Sequence, residues 1–539
     1  MHRCLLIVEI VQNVCQSIDA ESNSTSLATL ARTCQIFHSL ALDCLWASQN
    51  GLENVLTCMP PDLFESQAED PFHDLRRPIA PSDWERPLIY TRRIRTLNAA
   101  ASQRHISSRV FAALHASLPC DVQTAFPKLK SLDWVEPDFS GIRLLLTPKI
   151  TDLFLCCEPD NARLSHLSLI PETCFALKNL SIHFPASPEF SGSSYSQLIC
   201  SLPSRIQLLW IHIPDLRCLQ HISRLPALAG FAGSLPTNLS SQFLGTTAPP
   251  LTFNTLRTLH LEKASSISTV TDFLRRASLP VLQSIRIEFD GGQREVAIEK
   301  LHAALRDACN ATTLAEIILN FSDSNAPGAA DQHLYRIGMP ALKPLLGFAN
   351  LISMNITSHL DFDLDDDEMK ELAIAFPRLL TLRLKGGPCC KYRTPRLSLR
   401  AWAILAEHCP SLQYLDVSVD ATTVPALDRG AENGKRVITQ LALRDLGTDR
   451  SPIASPAINV ARFINNIFPR LDSVTAYSDP LSRLDVEHID IEVERAKDHE
   501  ILWFEVEEQL NVLRAVREEE RVLVREELGL DSEGAYYST

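Results

Sequence analysis

The sequence predicts an α/β solenoid, a curved parallel sheet with helices on its outer face, preceded by a small all-α head. Three observations carry this. A sextet of the form apolar-x-x-apolar-x-apolar recurs from residue 129 to residue 443. Between its copies run amphipathic stretches, several of which stop at an apolar residue followed by proline. Residues 1–60 lack the sextet and show helical spacing instead.

The sextets read, in order, Leu129/Leu132/Trp134, Ile150/Leu153/Leu155, Leu177/Leu180/Ile182 and Ile206/Leu209/Ile211. They continue as Leu256/Leu259/Leu261, Leu282/Ile285/Ile287, Leu314/Ile317/Leu319 and Leu351/Met354/Ile356. Leu379/Leu382/Leu384, Leu412/Leu415/Val417 and Ile438/Leu441/Leu443 follow, and a truncated Leu471/Val474 closes the series. Starts lie 21 to 37 residues apart, except for one gap of 50 that hides a degenerate unit near LPALAGF at 225–231. A period of this length marks a leucine-rich-repeat solenoid. The last two apolar positions are two apart, so they point to one side of a strand. The first anchors the turn leading in. Residues between them, among them Lys130, Ser131, Asp133, Arg257, Thr258, His260, Arg383, Gln413, Tyr414 and Asp416, are placed in part on the concave surface that such arrays present.

The connecting stretches read as return helices. SISTVTDFLRRASLP spaces Val270, Phe273, Leu274 and Ala277 at helical intervals. DDDEMKELAIAFP does the same with Met369, Leu372, Ala373 and Phe376, and RAWAILAEHCP with Trp402, Leu405 and Cys409. Proline disfavours the α conformation in the residue before it, so Leu279–Pro280, Phe376–Pro377, Cys409–Pro410 and Phe468–Pro469 are helix stops. Leu164/Leu167/Leu169 imitates the sextet but starts only 13 residues before Leu177, which assigns 162–175 to a helix. From His499 to Leu528 the spacing predicts one long helix. Its stripe Leu502, Val506, Leu510, Leu513 and Val516 would cap the last repeat, with Arg514 pairing Glu518.

The head holds three helical patterns: Leu6, Ile10, Val14 and Ile18; then Leu27, Leu30, Ala31 and Cys34; then Phe37, Leu40, Ala41, Leu45 and Trp46. Ser24 or Thr25 can cap the second. A 45-residue helical unit buries too little surface to stand alone and should lean on the array or on another chain.

Composition narrows the function. Lys and Arg total 51 against 65 Asp and Glu, a net charge of −14, which argues against nucleic acid and anionic membrane as partners. No apolar run approaches the ~18 residues of a membrane span. Glu9 and Gln12 break the N-terminal apolar run, so it is a poor secretory signal. The expected compartment is cytoplasm or nucleus. The 15 cysteines form no CxxC pair, and the adjacent pairs Cys156–Cys157 and Cys389–Cys390 read as packing. DFDLDDDEMKEL at 361–372 lacks the glycine and glutamate of a calcium loop, so Asp365 to Glu368 read as an N-cap and first turn. HEILW at 499–503 lacks the second histidine of a zincin, and no nucleophile elbow, phosphate loop or dinucleotide motif occurs. RRIR at 92–95 reads as a solvated strand edge. No cofactor and no metal is expected, and an enzyme is not.

The head resembles an F-box. That family's pattern is Leu-Pro-x-Glu-Ile-Leu, a leucine-rich middle with a cysteine and an aromatic, then Leu-Trp. Leu6, Glu9, Ile10, Leu27, Leu30, Cys34, Phe37, Leu45 and Trp46 match it; Val8 is taken at the proline position and Val11 replaces a leucine. The phrases RPIAPSDWERPLIYTRRIRTL, FPRLLTLRL and CPSLQYLDV extend the resemblance to the F-box/leucine-rich-repeat proteins expanded in mushroom-forming (basidiomycete) fungi. The resemblance implies a substrate-recognition subunit of an SCF-type ubiquitin ligase. The head would dock on the Skp adaptor, and through it a cullin, by Leu5, Leu6, Val8, Glu9, Ile10, Val14, Leu27, Leu30, Cys34, Phe37, Leu45 and Trp46. The solenoid would hold a protein target whose identity the sequence does not reveal. The expected domains are the head at 1–50, a linker and array start at 51–120, the solenoid at 121–480, a capping helix at 481–530 and a disordered tail at 531–539. The competing expectation is a non-catalytic interaction scaffold whose head merely caps the array.

Overall fold

A computed structural model describes residues 7–527 apart from 21–23, 66–71, 73, 100–105, 136–138, 159–166, 185–192, 237, 245–249, 291–294, 323–335, 359, 387–393, 426–438, 450, 455 and 477–490. Leu5, Leu6, Ile438, Cys389, Cys390, the 162–166 part of the expected helix and the expected tail therefore lie outside the described residues. The chain divides into two compact units, Met1–Pro236 and Thr237–Thr539.

The first unit opens with three helices, α1 (Val8–Ala20), α2 (Ser24–Ala31) and α3 (Gln35–Leu45). α2 starts at Ser24, so its cap position falls outside the described residues. Seven parallel strands follow: β1 (Ser48–Gln49), β2 (Thr96–Asn98), β3 (Ser131–Trp134), β4 (Asp152–Cys156), β5 (Asn179–His183), β6 (Leu208–Trp210) and β7 (Gly230–Gly233). Helices α4 (Ser108–Ser117), α5 (Ser193–Cys200) and α6 (Leu216–Ser223) connect some of them. Between Cys157 and β5, Leu167 is helical and a single further turn runs Ile170–Thr173.

One backbone device sets the register. The carbonyl just before each strand accepts two successive amides from the next repeat. Ala47 takes Arg95 and Thr96, Arg95 takes Lys130 and Ser131, and Lys130 takes Thr151 and Asp152. Thr151, Lys178 and Gln207 carry the pattern on to Gly230. The ladder thus starts at Ala47, directly after α3, and it includes Ile94/Leu97/Ala99, a sextet with alanine in last place. All three of those residues are buried. The degenerate unit near 225–231 is Leu228, Phe231 and Gly233. Gly233 has φ +141°, and a Cβ there would fall on the carbonyl oxygen of Ile211. Only glycine fits, so the sextet loses its last apolar residue.

The second unit carries eight parallel strands in ladder order: β9 (Thr258–Ala264), β11 (Ser284–Asp290), β12 (Glu316–Ser322), β14 (Ser353–Ser358), β16 (Thr381–Lys385), β17 (Tyr414–Val417), β18 (Asp445–Asp449) and β19 (Ser473–Ala476). Two short parallel pairs flank them, β8 (Leu251–Thr252) with β10 (Ala277–Ser278) and β13 (Arg336–Gly338) with β15 (Asp361–Asp363). The return helices are α7 (Ile267–Arg276), α8 (Glu295–Ala308), α9 (Asp366–Ala375), α10 (Leu399–His408) and α11 (Ala457–Ile467), followed by α12 (Ile491–Glu527). α9, α10 and α11 end on Phe376, Cys409 and Phe468, the residues before proline. Asp365 and Glu368 close a reciprocal capping box on α9, as the acidic run predicts.

The sextet residues from Leu129 to Val417 are all buried. Each contributes roughly 1.5–3 kcal/mol by leaving water. One expected sextet is out of register. Leu441 is 48% exposed, while Leu443 and Leu446 are fully buried. Leu446 pairs with Leu415. The true unit is Leu443/Leu446/Thr448, and the threonine in last place conceals it. Gln440 sets the turn: its amide donates to the carbonyl of Leu412 at 2.7 Å, and its oxygen accepts from the amide of Leu443 at 2.8 Å.

α12 lies on α11 and β19 by a face rotated from the expected stripe. Trp503, Val506 and Leu510 are buried, and Val516 is exposed. The Trp503 indole donates to the carbonyl of Ser451 at 2.8 Å. Arg514 donates to the carbonyl of Asp472 rather than pairing Glu518, which instead meets Arg521.

Candidate interaction surfaces

The head is held to the array along α3. Only Trp46 and Ala47 separate α3 from β1. The Trp46 indole stacks on Tyr90, with ring centroids 4.5 Å apart. Arg93 pairs with Asp43 and donates to the carbonyl of Ser39. Arg93 is therefore a half-buried tie and not part of a solvated edge.

α1 packs on α2 and α3 by Val11 and Cys15, which are fully buried with Leu27 and Ala41; Ile18, Leu30, Phe37, Leu40 and Leu45 complete that small core. The expected stripe of Ile10 and Val14 is thus one face away from the true one: both are exposed, as are Ile7 and Val8. Helical geometry explains the shift. Ile10 and Val14 sit about 100° from Val11 and Cys15 on the helix wheel. The predicted docking residues consequently divide. Val8, Glu9, Ile10 and Val14 are open to a partner. Leu27 is sealed inside the head, and Leu30, Cys34, Phe37, Leu45 and Trp46 are partly covered. Counted back from Glu9, the F-box pattern puts its proline at Ile7 and not Val8. Ile7 accepts the first amides of α1, and Val8 is the first helical residue.

The sheet faces not covered by helices form the second kind of surface. In the second unit this face is charged and internally paired. His260 lies 3.4 Å from Glu288, which also binds Arg286 at 2.7 Å. Arg383 donates to Asp416 at 2.9 Å and to the Tyr414 hydroxyl at 3.0 Å. Asp416 is buried, because Gly447 on the next strand leaves it a seat.

In the first unit the face is different. Asp133 and Asp152 stand on neighbouring strands, and no cation pairs with either among the described residues. Burial first, and then the charge on Asp152, pushes the Asp133 carboxyl above the usual carboxylate range. Beyond them come aromatics. The Phe154 and His183 rings lie 5.6 Å apart, and His183 meets Trp210 edge-on at 4.1 Å. Trp210 is 37% exposed and Leu208 51%. The sextet reading passed over these residues, although a signal was present: Phe154, Leu208 and Trp210 are apolar at x positions, where the pattern calls for polar ones.

Two parallel ladders, most of their strands burying an apolar sextet, define an α/β leucine-rich-repeat solenoid. No family model matches the chain, and no curated protein does. Among solved structures it is similar to an internalin from Listeria monocytogenes (14% identity, 68% of this chain and 82% of that chain, TM-score 0.30). It is also similar to the yeast Rad7 and Elc1 complex (16% identity, 70% and 85%, TM-score 0.31) and to the Toll–Spatzle complex of Drosophila (12% identity, 77% and 62%, TM-score 0.31). Likenesses at these scores carry no weight for function; the class rests on the chain's own register and burial. Among the described residues no helix is long and apolar enough to cross a membrane.

Proposed function

We propose that the chain is a non-catalytic substrate receptor of an SCF-type ubiquitin ligase, of the F-box/leucine-rich-repeat kind. The head docks on a Skp adaptor and the solenoid holds a protein target. The observation that supports this is the edge of α1. Ile7, at the start of α1, and Ile10 and Val14 along one edge of it are apolar and exposed, on a head whose α3 is bonded to the array. Exposed apolar residues gathered on one helix edge of a soluble domain mark a contact site.

The test is co-elution of the purified full chain with a Skp adaptor. Ile10→Asp and Val14→Asp are expected to abolish it while leaving the thermal melt in place. A folded chain that does not co-elute, or aspartate variants that bind like the parent, would sink the proposal. A second reading has its own observation: α3 runs straight into β1, so the head also suits a simple cap with no ubiquitin role. That reading expects no adaptor binding under any condition.

A further inference from the structure

The open face of the first unit presents two rows in strand register. One runs Asp133, Phe154, Ser181, Trp210, Ala232; the other runs Ser131, Asp152, Asn179, Leu208, Gly230. Charge sits at one end, on β3 and β4, and exposed apolar surface at the other, on β6. On β7 only Gly230 and Ala232 stand in register with Leu208 and Trp210, so no large side chain of that strand covers their flank. The fold accounts for only part of this: Asp152 accepts from the Thr151 hydroxyl and the Asn179 amide, and Trp210 meets His183 edge-on, yet no cation pairs with either carboxylate among the described residues, and Trp210 and Leu208 stay exposed. Two acids also exclude a phosphate-bearing partner.

We propose that this face binds an extended segment of a protein partner that carries Lys or Arg and, four residues away, a large apolar side chain. The cation would sit against Asp133 and Asp152, and the apolar group against Trp210 and Leu208. The spacing follows from geometry. Asp133 and Trp210 are three strands apart in register, about 14 Å at ~4.8 Å per strand. An extended chain rises ~3.3 Å per residue, so about four residues span the gap. Side chains alternate faces in an extended chain, so positions i and i+4 point the same way, whereas i+3 and i+5 do not. Aromatic anchors beside a charged group are the usual makings of a binding hot spot.

This inference rests on reading the open face as a receptor and not on the adaptor role of the head. Fluorescein-labelled ten-residue peptides in a Thr/Ser background, with Arg and Phe separated by three, four or five positions, would be titrated against the purified full chain by fluorescence anisotropy. The i+4 peptide is expected to bind at least ~10-fold tighter than its i+3 and i+5 relatives and than the version with Glu for Arg. Trp210→Ala, and Asp133→Asn with Asp152→Asn, are each expected to weaken it at least ~10-fold. The same variants should melt normally and keep whatever adaptor co-elution the parent shows. Equal binding at all three spacings, preference for the acidic peptide, or undiminished binding to folded variants would overturn the proposal.

Discussion

Gly447→Ala isolates one packing device on the open face of the second unit. Gly447 pairs in register with Asp416. A Cβ on it would lie 2.5 Å from both Cγ and Oδ1 of Asp416. Alanine has no rotamer that relieves this contact, so the carboxylate must leave its seat. The Asp416 side chain is 6% exposed and the Arg383 side chain 33%. Separating a buried charged pair costs about 3–5 kcal/mol, and the exposed third of Arg383 recovers part of that in water. Alanine also restricts the unfolded chain, which returns about 0.4–1 kcal/mol. The expected net loss is therefore roughly 2 kcal/mol, read as faster native-state hydrogen exchange in β16, β17 and β18. Asp416→Ala removes the obstructing carboxylate itself. With it in place, Gly447→Ala should add little, giving a coupling of about 1–2 kcal/mol in the double-mutant cycle. Additive effects would refute the reasoning, because they would mean the glycine is not there to seat Asp416.

Two further predictions follow from burial. Val11→Ala should weaken the docking of α1 by about 2 kcal/mol, since it deletes fully buried carbon and leaves a cavity. Ile10→Ala, on the exposed edge, should cost under about 1 kcal/mol; equal exchange of α1 in the two variants would show that the faces are misassigned. His302 is fully buried, its Nδ1 donates to the carbonyl of Ala341 at 2.6 Å, and its Nε2 has no hydrogen-bond partner among the described residues. Burial pushes it down to about 4 from 6.5. The unfolded chain therefore binds the proton first, so stability is complete above pH 6.5 and falls as pH drops toward 4, by up to roughly 3 kcal/mol. His302→Asn, which keeps a donor for Ala341, should flatten part of that slope in thermal melts between pH 7.5 and 5. An unchanged slope would contradict it. His212, also near 4 through burial, accounts for a share that remains.

How much of this was legible follows from which residues carry a pattern. From Leu129 to Val417, where all three sextet positions are Leu, Ile, Val, Met or Trp, the strand and its register are readable, because one buried triplet per turn is what holds the sheet. Wherever a small or polar residue takes the last place, as at Ala99, Gly233 and Thr448, the strand persists on two buried apolar residues and its backbone bonding, and the pattern misses it or slips. The slip at Leu441 shows the limit of counting apolar residues: Leu443, Leu446 and the buried glutamine decide the register together. The head was readable as three helices but not as a packed face. Ile7, Ile10, Val11, Val14, Cys15 and Ile18 form one wide apolar arc, and only the placement of α2 and α3 selects Val11 and Cys15 as its inner part.

Departures from the repeat divide by physical cause, and the division points to function. Gly233 and Gly447 lack side chains because a neighbouring strand needs the room: the carbonyl of Ile211 in one case, the Asp416 carboxylate in the other. Folding explains them. Phe154, Leu208 and Trp210 are departures of the opposite sign, with large apolar groups added where water would favour polar ones. Their strands already bury Leu153, Leu155, Leu209 and Ile211, and Leu208 and Trp210 stay exposed on the other face. An exposed indole and leucine also promote aggregation, a liability that a fold by itself would shed. Residues that neither the core nor solubility requires, set beside two unneutralised carboxylates, make sense as one half of an interface.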